Sequence, residues 1–545
     1  MGRNILKSSV QNASFSIIFQ ILFRCITFIL NAFIIRTVGQ EVLGIMNVRL
    51  LLLESTILFL SKEPILKACL TDTKSHNWAQ VINQIWLSVP ISGILGLVLV
   101  YVWINLLVPT EEIYLSQYRL GCYAVALSCI VEQMTQCVEL VAQSFCFVRL
   151  KVVIETMYII SRTIIFVYLV VKYPNGAINA FAIAQIVSSV ILCCLYYGFF
   201  SWYIPVLNKT KAEDDKKNNA KKTIFSDMAD FPFTSVWDFF PGNMRNNDNV
   251  LNKDLCLLTV SFVKQSLVKQ VLTEGERYVM TISPVLTFSQ QSMYDIVNNL
   301  GSLAASRAYF YFTQMVKRDE PLKKQDQKHI SEAAEVLSQL CKVVVSIGLV
   351  VVVFGQSYSY TLLYLYGGRK LVENNLSVIL LRFHSFAIIL LAINGVTEGY
   401  VFATMNNKQL DRYNYIMVFF SIMFLLISYV FTYILGPVGF ILANCINMLA
   451  RITHSIIFIE GKYKDTNHHP LSGLLPGTRF IIVLTISGVI TKLSEVYILN
   501  RYIILHIGIG AIFFFLTIST WALENATLLR TGYDKYKRRA SLKND

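Results

Sequence analysis

The chain has 545 residues, of which 54% are hydrophobic and only 15% charged, with a net charge of +14 and a mean hydropathy of +0.53. A soluble domain carries about 25% charged residues, so the composition excludes a soluble globular enzyme and points to an all-α polytopic membrane protein. The excess of positive charge sits in short loops between apolar runs, where it sets topology, so no nucleic-acid partner is expected.

Apolar runs of spanning length predict about 14 transmembrane helices. In chain order they cover 13–36, 42–61, 80–107, 118–145, 150–171, 177–205, 254–272, 284–312, 332–356, 375–403, 413–435, 437–460, 478–498 and 501–524. The first run is too long for a cleaved signal and no small-residue cleavage site follows it, so it reads as a signal anchor. The eighth is the weakest, interrupted by Gln290, Gln291, Asp295, Asn298 and Asn299. "KYPNGA" and "GPVGF" read as tight turns. With a cytosolic N-terminus, about 30 Lys and Arg fall on the cytosolic side and about seven opposite, which places both termini in the cytosol. The polar stretch 206–253 reads as a cytosolic linker between two bundles. The predicted organisation is an N-lobe over 1–205 and a C-lobe over 254–460, then two additional spans over 461–524 and a basic tail over 525–545.

Eleven cysteines are scattered, with no CxxC and no Cys/His ligand spacing, so neither disulfides nor a metal site is expected. No P-loop, nucleophile elbow or HExxH occurs. No catalytic residue and no cofactor are expected, and His384, His454 and His506 read as isolated buried histidines.

Polar residues inside the spans follow helical spacing. Gln20, Arg24, Thr27 and Asn31 share one face of the first span. Glu132, Gln136, Glu139 and Gln143 do so in the fourth, and Asn444, Asn447, Arg451 and His454 in the twelfth. Glu155, Tyr158 and Arg162 align in the fifth, Lys264 and Lys269 lie in the seventh, Arg382, Asn394 and Glu398 in the tenth, and Arg49 and Glu54 in the second. Two readings are open: ion pairs that only pack the bundle, or stripes that converge on a central hydrophilic cavity. The number of stripes of both signs favours the cavity. Its basic groups, Arg24, Lys264, Lys269 and Arg451, suit a phosphate or diphosphate. Its acidic groups, Glu132, Glu139, Asp295 and Glu398, would neutralise those bases or carry protons, and Arg24 would either grip a phosphate or pair with a residue such as Glu54 or Glu132. Arg49, Arg162 and Lys492 read as structural or snorkelling.

At "LNAFIIRTVGQEVLGIMNVRLLLLESTILFLSKE" the chain resembles the eukaryotic endoplasmic-reticulum Rft family. "FVKQSLVKQVLTEGERYVMT", "YDIVNNLGSL", "LLAINGVTEGYVFATMNNKQLDRYN" and "VGFILANCINMLARITHS" carry the same resemblance, while the linker and tail match poorly. That family is similar to the multidrug/oligosaccharidyl-lipid/polysaccharide exporters, which implies N and C lobes around a central cavity with alternating access. The implied cargo is dolichol-diphosphate oligosaccharide with five mannoses and two N-acetylglucosamines, moved from the cytosolic to the luminal leaflet of the endoplasmic-reticulum membrane ahead of N-glycosylation. Membrane lipids and other N-glycosylation enzymes are the implied partners.

On this resemblance Arg24, Lys264, Lys269 and Arg451 become candidates for the diphosphate. Gln20, Asn31, Gln136, Asn298, Asn444 and Asn447 become candidates for sugars or cavity polar groups. Glu54, Glu132, Glu139, Asp295 and Glu398 are the acidic or ion-pairing set. A non-transporting accessory factor of the same pathway and an ion-coupled small-molecule exporter remain as alternatives. After "YDIVNNLGSLAA" the chain reaches "YFYFTQ" about ten residues sooner than the family pattern, omitting a Pro-(Ile)-Glu-Glu element, a shortening well beyond ordinary loop variation of a few residues.

Overall fold

The computed structural model describes residues 29–70, 77–107, 114–145, 147–217, 231–244, 249–283, 286–301, 327–464 and 468–526. Gln20 and Arg24, linker residues 218–230 and 245–248, and the shortened stretch after Gly301 lie outside them. Among the described residues ten helices are long and apolar enough to cross a membrane, and two bent helix pairs bring the number to twelve. The remaining predicted spans, 13–36 and 284–312, fall partly outside the described residues. The chain divides into two compact units, Met1–Ile282 and Ser283–Asp545.

In the first unit α1 covers Gln40–Leu70 and contains a π-helical turn at Ile45–Leu50. There the Arg49 guanidinium donates to the Leu107 carbonyl (2.8 Å) and the Trp103 indole donates to the Arg49 carbonyl (3.1 Å), which bears out its structural reading. Then come α2 (Trp78–Trp86), α3 (Ser88–Asn105), α4 (Leu115–Gln133), α5 (Gln136–Ser144), α6 (Val148–Lys172), α7 (Ala177–Lys217) and α8 (Lys253–Ile282). Their apolar surfaces pack α1 on α3 and α8, α3 on α4, and α7 on both α4 and α6. The predicted fourth span is two helices, α4 and α5, meeting at 43°.

The sequence reading starts the second bundle at 254, whereas α8 packs along α1 and falls in the first unit. Polar side chains on α2 explain this. Gln84 donates to the Leu255 carbonyl (3.2 Å) and to Thr259 (2.7 Å), and Asn83 and Gln80 donate to the carbonyls of Val250 and Asn249. The stretch treated as linker also begins later than expected, because α7 runs on to Lys217 past Pro205. Residues 231–244 form an aromatic strap. Phe231, Phe233 and Phe239 are buried against Phe147, Phe200 and Tyr203. Phe233 lies 5.5 Å from Trp78 and 4.9 Å from Phe239 between ring centres. The Asp238 carboxylate accepts from the backbone N–H groups of Thr234 and Ser235, and the Trp86 indole donates to the Phe239 carbonyl (2.8 Å). Polarity averaged over 206–253 hides these aromatics, each of which removes a large apolar area from water.

The second unit holds α9 (Phe288–Gly301), α10 (Gln327–Gly367), α11 (Leu376–Thr404), α12 (Asn407–Leu435), α13 (Val438–Tyr463), α14 (Thr478–Tyr497) and α15 (Ile503–Glu524). Here α11 packs on α9, α10 and α13, α12 on α13, and α14 on α10 and α15. The "GPVGF" turn is present, with Gly436 at φ +62°, a left-handed value that favours glycine. The outer pair α14 and α15 meets along small polar residues, as membrane helices do. Ser487 faces Thr517 (3.1 Å), Thr491 donates to Ser357 on α10 (3.2 Å), and Ser494 bonds His506 Nδ1 (2.8 Å).

Truncating a buried aromatic leaves a cavity that surrounding groups fill only partly. Phe233→Ala is therefore expected to lower stability by about 3–5 kcal/mol. The 69% exposed Trp237 should tolerate alanine with little change in thermal unfolding of the purified protein.

Candidate functional site

Two clusters of buried charge stand out, one in each unit. In the first unit the break between α4 and α5 turns the chain at Met134–Thr135, where the Thr135 hydroxyl donates to the Glu132 carbonyl (2.7 Å). The following helix buries Glu139, whose side chain is 8% exposed. Lys62 of α1 reaches one carboxylate oxygen at 2.8 Å and Lys151 of α6 the other at 2.9 Å. The Gln136 amide donates to the same carboxylate (3.2 Å). Three helices thus meet on one carboxylate, and burial of that charge is tolerated because two ammonium groups neutralise it.

On α6 Arg162 lies 3.5 Å from Glu54, donates to the Gln185 side-chain Oε1 (3.3 Å) and lies over the Tyr158 ring. Glu132 is half-buried between the two pairs. Along the seam of α1 and α8, Ser55 donates to Glu274 (3.0 Å) and Thr56 bonds Tyr278 (2.7 Å). Lys269 lies 3.2 Å from Glu63, whose other neighbour is Lys67 at 3.3 Å. Lys264 is exposed, and so is Asn31.

In the second unit Glu398 of α11 is buried. Arg451 of α13 contacts both of its oxygens at 2.6 and 2.7 Å, the Tyr413 hydroxyl donates to one (2.8 Å) and the Asn394 amide to the other (2.9 Å). The His454 ring lies 5.1 Å from that of Tyr413. Asp295 is buried on α9, while Asn298, Asn444 and Asn447 are half-buried, with the Asn447 carbonyl oxygen lacking a partner among the described residues.

The structure therefore joins Glu139 to Gln136 and Glu398 to Arg451 among the residues singled out from sequence. It gives Glu54 to Arg162, while Arg24, for which Glu54 or Glu132 is one of the open partners, lies outside the described residues. Lys62, Lys151, Glu63 and Tyr413 were missed as site residues. Lys62 lies just past the predicted span 42–61 and Lys151 at the start of the predicted span 150–171, yet each lies within a helix and turns back onto Glu139.

The chain is similar to known proteins along nearly all its length. The profile of the family described as Rft protein matches residues 8–535. The Man(5)GlcNAc(2)-PP-dolichol translocation protein RFT1 of Drosophila melanogaster is 46% identical over 560 aligned residues, covering 99% of this chain and 100% of that relative. This chain belongs to the Rft family. A relative of the same name from Mus musculus is 36% identical and covers 97% of this chain and 96% of its own. Among solved structures, the lipid II flippase MurJ in an inward closed conformation superposes with a TM-score of 0.55 at 11% identity, covering 94% of this chain and 99% of that one. That likeness gives this Rft chain a helical fold of the same kind as that structure's.

Removing one member of a buried ion pair strands the other. Arg451→Gln is expected to cost about 3 kcal/mol, because it leaves the Glu398 charge short of a cation. The double variant Glu398→Gln/Arg451→Gln should regain much of that loss, as read from thermal unfolding of the purified protein.

Proposed function

We propose that this chain translocates dolichol-diphosphate oligosaccharide, with five mannoses and two N-acetylglucosamines, from the cytosolic to the luminal leaflet of the endoplasmic-reticulum membrane for N-glycosylation. The observation that carries the reading is the 46% identity, end to end, with a relative named for translocating that lipid. The physics is consistent with it. A charged sugar head group does not cross hydrocarbon unaided, whereas its polyprenyl tail stays in lipid. Polar stripes in apolar helices offer such a head group hydrogen bonds and counter-charges.

In this reading fourteen spans form an N-lobe and a C-lobe with a hydrophilic cavity, and both termini face the cytosol. Arg24, Lys264, Lys269 and Arg451 serve the diphosphate. Gln20, Asn31, Gln136, Asn298, Asn444 and Asn447 serve the sugars. The carboxylates hold the cations until cargo arrives. Other enzymes of N-glycosylation are its working partners.

A second reading, an accessory factor that does not transport, is favoured by one observation: Arg451 and Lys269 already lie on carboxylates. Reconstitution separates the two. Vesicles containing the purified chain should expose the tritiated oligosaccharide lipid on the opposite face faster than protein-free vesicles, and Arg24→Ala should slow the transfer. Equal rates with and without protein would overturn translocation. Charge-reversed stripe variants that fold and still support glycosylation in cells would establish the accessory role instead.

A further inference from the structure

A second charged notch lies in the second unit, away from Glu398. Glu495, in the last turn of α14, is bonded through one oxygen by the Arg382 guanidinium of α11 and through the other by the Lys492 ammonium. Arg382 is held from behind, donating from Nε to the Gln356 carbonyl (3.1 Å), while Gln356 donates back to the Arg382 carbonyl (3.1 Å). Glu495 is closed off at 10% side-chain exposure, whereas Arg382 is 30% and Lys492 47% exposed. Two cations on one carboxylate leave a surplus of one positive charge, with both cations open on their outer side.

The surroundings say what covers that charge. Phe383 and Phe386 on α11, and Leu493 and Val496 on α14, are exposed apolar residues next to the notch in sequence. Apolar side chains left open on membrane-length helices face acyl chains. Arg382 lies early in α11 and Lys492 late in α14, so the notch sits near one end of two spans, where head groups lie and where long cationic side chains reach for phosphate. Arg supplies fixed donors for phosphate oxygens and Lys a mobile point charge.

We propose that Arg382 and Lys492, clamped on Glu495, form a binding site for the phosphate of an anionic phospholipid. A phosphodiester brings one negative charge, which brings two cations and one carboxylate to neutrality. A diphosphate would overshoot, and a zwitterionic head group would bring no net charge, its ammonium finding both Glu495 oxygens already occupied. Under the orientation proposed above, the lipid is drawn from the luminal leaflet. The site is separate from the residues assigned to cargo.

The test uses the full chain purified in detergent, with lipid binding read by native mass spectrometry and by thermal unfolding. Phosphatidylinositol should bind and raise the unfolding temperature, while phosphatidylcholine should do neither. Lys492→Ala keeps the Arg382–Glu495 pair and should weaken phosphatidylinositol binding about tenfold, the loss of one charge-assisted contact. Lys492→Arg should restore it. Unchanged binding by Lys492→Ala, or equal binding of phosphatidylcholine, would overturn the proposal. Inositol phosphate without acyl chains binding as tightly would replace the lipid by a free phosphate ester. Tighter binding of a polyprenyl diphosphate would overturn the single-phosphate assignment.

Discussion

Glu139 shows the constraint on which the rest of the structure depends: an ionised group inside membrane helices has to meet its counter-charge there. The interaction of two unit charges in contact grows severalfold as the effective dielectric falls, and so does the cost of leaving either alone. Lys62 and Lys151 meet this demand from two other helices, so one carboxylate fixes the mutual placement of α1, α5 and α6. The 43° bend between α4 and α5 lies just before Glu139 in the chain. Glu398 does the equivalent work in the second unit, tying α11 to α12 through Tyr413 and to α13 through Arg451.

Apolar packing adds little direction in lipid, because tails are as apolar as leucine side chains. Orientation between helices then comes from small polar contacts and from places where water returns. The α14 and α15 seam uses Ser487, Thr517 and the buried Ser494–His506 bond. Outside the spans the hydrophobic effect operates again, and the strap exploits it. Phe231, Phe233 and Phe239 bury against α7 while α2 side chains hold the backbone that leads into α8. The start of α8 is thereby fixed to the first unit.

The spans were legible in the sequence because a helix that crosses a bilayer needs about 20 apolar residues whatever surrounds it. The predicted run 375–403 matches α11, Leu376–Thr404, to within one residue at each end. The i,i+4 spacing of Asn394 and Glu398 is matched by their hydrogen bond. What it could not give was partnership. Lys62 lies past the predicted end of its span, so hydropathy assigns it to a loop, but α1 continues to Leu70 through Pro64 and turns Lys62 inward. Arg162 was read as structural, and its contact with Glu54 agrees, but nothing in the spacing of either residue names the other. The strap was missed because its five aromatic residues lie among charged neighbours that dominate the average over 206–253.

The ion pairs differ in a way that bears on which cations can serve a moving cargo. A cation can turn to a phosphate only if the carboxylate it leaves retains other partners, since a stranded buried charge costs several kcal/mol. Glu398 retains Tyr413 and Asn394 when Arg451 leaves. Glu63 retains Lys67 when Lys269 leaves, and Glu139 retains one lysine when the other moves. Glu54 is different: among the described residues its one ion pair is to Arg162, and its second oxygen is buried without a partner. Arg162 is therefore committed to holding the bundle together. Arg451 and Lys269 differ from it in leaving behind carboxylates that keep other hydrogen-bond or charge partners, so paired cations do not by themselves exclude the transport reading proposed above.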